Sequence, residues 1–257
     1  YYFRFDYREV KMLTQAEIKY IRSLHSGHVA KKEGKFVAEG LRMVQELLQA
    51  GFLPERLYTC SEAQNEHEIL QNAVQIGRQE MERITNLETA PTVLAIFPRL
   101  YTTMLPLDTG CSIFLESVQD PGNLGTIIRT AAWFGIKQIL CSEDTVSFYN
   151  SKVLQATMGA VGYIPVVYTS YEEVRSHAPN HLQVVATCLD GVPLTSAQFR
   201  MPTLLLFGNE GKGLSQRLLA EANLRATIPK GRGGQGESLN VASAVAILCA
   251  ALQNTQG

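Results

Sequence analysis

The stretch Asn123-Leu124-Gly125-Thr126-Ile127-Ile128-Arg129-Thr130-Ala131 decides the fold. Its apolar residues Leu124, Ile127, Ile128 and Ala131, continued by Ala132, fall at the i, i+3, i+4, i+7, i+8 positions of a helix that buries one stripe. Arg129 lies off that stripe, on the side of Gly125, Thr126 and Trp133, so its head group is directed away from the core. Just upstream, Ser112 to Val118 is an apolar run of strand length. The short polar turn between the two makes them a strand feeding a helix.

The same alternation continues downstream. Gln138 to Cys141, Ile164 to Tyr168, Gln183 to Ala186, Thr203 to Phe207 and Arg225 to Ile228 are apolar segments separated mostly by helical patterns. Strand alternating with helix predicts an α/β fold with a mostly parallel sheet flanked by helices. The final helix carries Val241, Ala244, Val245, Leu248, Cys249 and Leu252 in the same order, with Asn240 or Ser238 as its cap.

Upstream the elements are shorter. Thr14-Gln15-Ala16-Glu17 reads as a capping box that starts a helix. A basic loop follows, then a strand at Phe36 to Glu39, a helix at Leu41 to Gln49 stopped by Gly51 and Pro54, a strand at Arg56 to Cys60, a helix at Glu62 to Ile76 and a strand at Thr92 to Phe97. Between Pro98 and Gly110 no period dominates. The expected organisation is therefore a small α/β domain at 12–100 and a larger one at 110–257, with residues 1–11 as an extension outside the core fold.

A length of 257 residues favours two modest domains or one large one. Hydrophobic residues at 46% and charged residues at 18% supply a conventional core and exclude disorder. There is no apolar run of about 18 residues, and YYFRFDYREV lacks the basic, apolar, small-residue order of a signal peptide. A soluble, cytoplasmic protein with no membrane partner is expected. The five cysteines, Cys60, Cys111, Cys141, Cys188 and Cys249, form no C-x-x-C pair, and the five histidines are dispersed, so neither a metal site nor a redox pair is expected. A net charge of −1 means that any nucleic-acid contact must be local. One candidate is the span from Arg22 to Arg42, where Arg22, Lys31, Lys32, Lys35 and Arg42, with His25 and His28 among them, outnumber Glu33 and Glu39.

In doubly wound sheets ligands gather at loops leaving the carboxyl ends of strands. Three such loops here are rich in Gly, Asn, Ser and Glu: Gln119 to Asn123, Gly208 to Gly213 and Pro229 to Ser238. Glycines there let a ligand approach the backbone closely. A Walker loop is excluded because Leu214 stands where its lysine should be, and the Gly208, Gly211, Gly213 spacing is wrong for a dinucleotide fingerprint.

Taken together and in order, Asn123 to Ala131, Phe207-Gly208-Asn209-Glu210-Gly211-Lys212-Gly213-Leu214-Ser215, and Ile228-Pro229 followed by Ser238-Leu239-Asn240-Val241-Ala242 resemble the three motifs of the SpoU family of SPOUT RNA ribose-2′-O-methyltransferases. The likeness covers about residues 110–255, and the preceding part resembles the ribosomal-protein-like RNA-binding domain that often accompanies this catalytic domain. The third loop departs from the pattern, with Lys230 where the family often has methionine and a longer, glycine-rich run to Glu237. Its glycines beside Lys230 and Arg232 suggest a mobile lip that closes on RNA.

The resemblance implies a C-terminal trefoil knot, an exception to the rule against threaded chains, and S-adenosyl-L-methionine as cofactor. It implies a homodimer acting on rRNA or tRNA. Adenosine would be held by backbone around Gly208, Ile228 and Leu239, with Phe207, Asn209, Glu210 and Gly213 shaping the pocket. Arg129 would activate the ribose hydroxyl or stabilise its developing charge, with Asn123, Glu210, Ser238 and Asn240 orienting the groups around it. A protein that keeps this fold as an RNA-binding or ribosome-assembly factor without turnover is the alternative.

Overall fold

The computed structural model describes residues 10–60, 70–99 and 102–254. Two compact units divide the chain: Tyr1–Leu100 with Tyr149–Gly162, and Tyr101–Phe148 with Tyr163–Gly257.

In the first unit the elements are α1 (Gln15–Ser23), α2 (Gly27–Glu33), β1 (Lys35–Glu39), α3 (Leu41–Gln49), β2 (Arg56–Cys60), β3 (Val74–Ile76), α4 (Arg78–Ile84) and β4 (Val93–Pro98). The strands form one sheet in the order β1-β4-β2-β3, with β2 and β3 parallel and the other neighbours antiparallel. The Thr14 capping box is present: Thr14 Oγ1 accepts from Glu17 N at 3.2 Å, and Glu17 accepts from Thr14 N at 2.8 Å.

Three local expectations change. The basic loop contains α2, bounded by Ser26 as N-cap and by Gly34 in the left-handed conformation at φ 63. The expected helix from Glu62 to Ile76 partly lies outside the described residues; its end, Val74–Ile76, is the strand β3, laid parallel to β2. Residue 11 is tied into the unit, because Lys11 N donates to Gln75 O at 2.8 Å. Buried Glu80 accepts from Leu13 N and Gly77 N, so it anchors this entering segment and caps α4 together.

In the second unit β5 (Cys111–Leu115), α5 (Pro121–Trp133) and β6 (Ile139–Cys141) follow in order; α6 (Ser151–Thr157) then joins the first unit before β7 (Val166–Tyr168), α7 (Tyr171–Ser176), β8 (Gln183–Pro193), β9 (Thr203–Phe207), α8 (Gln216–Glu221), β10 (Leu224–Thr227) and α9 (Val241–Asn254) complete the second. All neighbours in the sheet β10-β8-β9-β5-β6-β7 are parallel. Leu204, Leu206, Phe114 and Leu140 of its central strands are buried with Val174, Leu182 and Leu218 from flanking segments. Burial pushes the thiols of Cys111 and Cys141 up and that of Cys249 up to about 12, which suits packing rather than nucleophilic chemistry.

Residues 149–162 reach the first unit through contacts the sequence does not advertise. The Tyr149 ring lies 5.1 Å from the Phe36 ring and under the Arg99 guanidinium at 4.2 Å. Gly159 and Gly162 sit against α3: a Cβ on Gly159 would come within 2.4 Å of Glu46, and one on Gly162 within 2.6 Å of Ala50. Gly159 also has φ +91. Gly159→Ala should therefore destabilise the protein by about 1–3 kcal/mol, from overpacking and backbone strain. Urea unfolding would read this, and an unchanged midpoint would contradict the packing.

Candidate active site

The polar residues after β5 and β9 and before α9 are held together by one side chain. Asp120 is the N-cap of α5, its Oδ1 accepting from Asn123 N at 2.7 Å, and Pro121 occupies the first turn where its missing N–H costs nothing. Asn123 is thus relieved of capping and its amide is free to bridge.

The orientation of that amide follows from its partners. The α9 backbone N–H groups of Ala242 and Ser243 donate to Asn240 Oδ1 at 2.9 and 3.2 Å, which makes Asn240 the cap of that helix. Asn240 Nδ2 is left to donate to Asn123 Oδ1 at 2.7 Å. Asn123 Nδ2 then donates to Glu210 Oε1 at 3.0 Å. An amide can accept on one side and donate on the other, which a carboxylate, having no donor, cannot do.

Glu210 also accepts from the backbone amides of Asp120 at 3.2 Å and Gln119 at 3.4 Å. Partial burial raises its pKa, but the hydrogen bonds from Asn123 and these amides outweigh it and the net direction is downward. The turn carrying Glu210 is tight. Asn209 and Gly213 exchange backbone hydrogen bonds at 3.1 and 2.8 Å, and Asn209 Oδ1 accepts from Gly211 N and Lys212 N. Gly208 is obligatory, since a Cβ there would meet the Gly213 backbone at 2.1 Å.

Around this array lies a cleft of about 620 Å³, lined by Gln119, Asp120, Pro121, Asn123, Glu210, Ser238, Leu239, Asn240 and Val241. Five residues expected in the site, Asn123, Glu210, Ser238, Leu239 and Asn240, meet there. Leu239 is 52% exposed, an apolar side chain offered to the cleft. Phe207, the last residue of β9, is buried and does not line the cleft, its carbonyl accepting from Glu116 N at 2.8 Å. Gly208, Asn209 and Gly213 form the turn behind Glu210, and Ile228 follows β10; none of these four lines the cleft. Arg129 is exposed on α5, six positions or about 9 Å along the axis from Asn123, and also stands outside the lining. The Lys230 to Glu237 loop folds on itself, Lys230 Nζ donating to Gly236 O at 2.5 Å.

Sequence reading did not single out Asp120 and Pro121, although an Asp-Pro pair opening an amphipathic run is a helix-start signal. Among the described residues no group of His, Cys, Asp or Glu side chains is arranged to hold a metal ion, and no helix is long and apolar enough to cross a membrane.

Comparison with known proteins places the chain in a family. The SpoU rRNA methylase family matches residues 110–250. The chain belongs to the SpoU rRNA methylase family. The MRM3-like substrate binding domain matches residues 15–95. The 23S rRNA (guanosine(2553)-2′-O)-methyltransferase RlmP of Bacillus subtilis is 29% identical over 250 residues, covering 94% of this chain and 97% of that protein. An AdoMet-bound rRNA methyltransferase from Sinorhizobium meliloti superposes with a TM-score of 0.84 at 31% identity, covering 96% of this chain and 97% of that one. An RNA methyltransferase of the TrmH family from Porphyromonas gingivalis, described as putative, gives 0.81 at 31% identity, covering 94% and 98%. The family and α/β class read from the SpoU motifs are thereby borne out, and this SpoU protein is a methyltransferase.

Because the folded-state pKa of Glu210 is depressed, its stabilising contribution is present above the unfolded carboxylate value of about 4.3 and is lost as pH falls through the folded value. The stability difference between wild type and Glu210→Gln should therefore shrink from about pH 7 to about pH 3 in urea unfolding. A pH-independent difference would show that the bridge does not depend on the carboxylate.

Proposed function

We propose that this SpoU protein uses S-adenosyl-L-methionine to methylate a ribose 2′-hydroxyl of rRNA, with the cleft at Asn123, Glu210, Ser238, Leu239 and Asn240 as its cofactor and reaction site. One observation carries this reading: residues of all three motif regions converge on a single cleft through the Asn240, Asn123, Glu210 hydrogen bonds.

The cleft suits the cofactor in size and chemistry. Its volume of about 620 Å³ lies in the usual range of roughly 300–1,000 Å³ for small-molecule sites. Leu239, Val241 and Pro121 offer apolar surface for a nucleoside, while the Glu210 carboxylate places negative charge beside the cleft. When bound, the cofactor would supply an electrophilic methyl group to the ribose oxygen, the sulfur–methyl bond breaking to leave a thioether while the hydroxyl proton passes to solvent. The residues of the chain supply position and charge: Asn123 and Asn240 keep the cleft walls in register, and Ser238 presents a hydroxyl to its mouth. Backbone near Gly208, Asn209, Gly213 and Ile228 supports the adenosine end, with Phe207 behind it. Arg129, exposed on α5, would pair with RNA phosphate and stabilise charge developing on the oxygen.

The reading includes a homodimer, a C-terminal trefoil knot, a cytoplasmic location and an N-terminal domain that binds the RNA. Trp133 on α5 is 85% exposed and Ile247 on α9 is 39% exposed, apolar surface that a second copy would cover. These helices run side by side in the same direction, joined near their starts by Asn240 to Asn123 and near their ends by Gln253 Nε2 donating to Phe134 O at 3.0 Å. In the first unit Arg22, His28, Lys31, Lys32 and Arg42 are exposed cationic or polar groups suited to phosphates, and residues 15–95 match the substrate-binding family. His25 is withdrawn from that role: its side chain is 9% exposed and its Nε2 meets Ile84 O at 2.9 Å.

Incubation with labelled cofactor and rRNA, followed by mapping of modified nucleotides, should find a ribose methyl. A base methyl, or cofactor binding without transfer, would overturn the reading. Arg129→Ala should lower kcat by about 10²–10³-fold while leaving cofactor affinity nearly unchanged. Trp133→Asp should convert the dimer to a monomer in light scattering, and a wild-type monomer would remove the homodimer.

A further inference from the structure

Ser117, at the carboxyl end of β5, adopts the left-handed conformation at φ 58, a region non-glycine residues seldom occupy. A ring of hydrogen bonds holds it there. Ser117 N donates to Ser142 Oγ at 2.8 Å, Ser142 Oγ donates to Asp144 Oδ1 at 2.6 Å, and Ser117 Oγ donates to Asp144 Oδ2. The Ser117 carbonyl, directed by that conformation, accepts from Asn209 Nδ2 at 2.8 Å. Asn209 Oδ1 in turn fixes Gly211 N and Lys212 N, the turn that carries Glu210. The Asp144 backbone carbonyl accepts from Gln119 Nε2 at 2.5 Å, and Gln119 lines the cleft.

We infer that Asp144, which lies outside all three motifs, is a positioning residue for the cleft: its carboxylate holds Ser117 in the left-handed conformation and through it sets the Asn209 to Gly213 turn. Both carboxylate oxygens are engaged by hydroxyl donors that a neutral acid could not fully satisfy. The Asp144 carboxyl is correspondingly held below its ordinary value, first by Ser117 and then by Ser142. The inference rests on the cleft being the cofactor site, but its structural half does not.

The test is a double-mutant cycle with two readouts, cofactor affinity by calorimetry and amide hydrogen exchange at Gly211 and Lys212 without cofactor. Asp144→Ala should weaken S-adenosylmethionine binding about tenfold and speed those amides by a similar factor. Asp144→Asn, which keeps one accepting oxygen and the side-chain shape, should fall between, and it serves as the probe if the alanine variant does not fold. Ser117→Gly reaches the left-handed region without help, so it should cost less than Asp144→Ala and reduce the effect of Asp144→Ala to less than about threefold. A purely structural role predicts the same loss in both backgrounds. That result, or unchanged exchange in Asp144→Ala, would overturn the inference. Failure of the wild type to bind the cofactor would instead overturn the functional reading, while exchange still decides the role of Asp144.

Discussion

The bridge made by Asn123 is the constraint on which the rest of the cleft depends. Its amide accepts from Asn240 and donates to Glu210, so the start of α9 and the turn after β9 are registered against the start of α5 by two hydrogen bonds from one side chain. A hydrogen bond to a charged group contributes about 1.5–3 kcal/mol, and less where, as at exposed Glu210, water can take the partner's place. Asp120 caps α5 by accepting from Asn123 N, which fixes the backbone from which the bridging amide projects. Removing Asp120 would therefore reach the cleft through Asn123, not only through the helix.

Behind that bridge stand constraints of shape. Gly208 passes so close to Gly213 that no side chain fits, which allows the turn to present Glu210 back towards α5. Ser117 and Asp144 support the same turn from the opposite loop. The charge arrangement explains how a protein of net charge −1 can serve an anionic substrate. Acidic groups are gathered at the cleft, where a sulfonium would be welcome, and exposed cations are spaced between residues 22 and 42 and at Arg129.

Much of this was legible from residues alone. The Leu124, Ile127, Ile128, Ala131 stripe predicts α5, and the apolar runs predict the six strands of the parallel sheet, five within a few residues and β8 only at its start, since it continues past Ala186 to Pro193. Asn123, Glu210 and Asn240 are recognisable in the sequence as candidate site residues, but their mutual hydrogen bonds are not, because residues 87 and 117 positions apart carry no local signal of contact. Helices α2 and α4 were missed because seven residues give too few turns for periodicity to show. Val74–Ile76 reads as the end of a helix in the sequence because its strand pairing with β2 is long-range. The passage of 149–162 into the first unit depends on the close fit of Gly159 and Gly162 to α3, and glycines in a sequence announce turns more readily than packing.

The account stands most directly on cofactor binding by the Asn123 amide array. Asn123→Leu keeps the branched side-chain shape and removes both hydrogen bonds, so calorimetric titration with S-adenosylmethionine should show at least about tenfold weaker binding while circular dichroism retains the folded spectrum. Equal affinity for wild type and Asn123→Leu, with both proteins folded, would contradict the claim that this bridge builds the cofactor site.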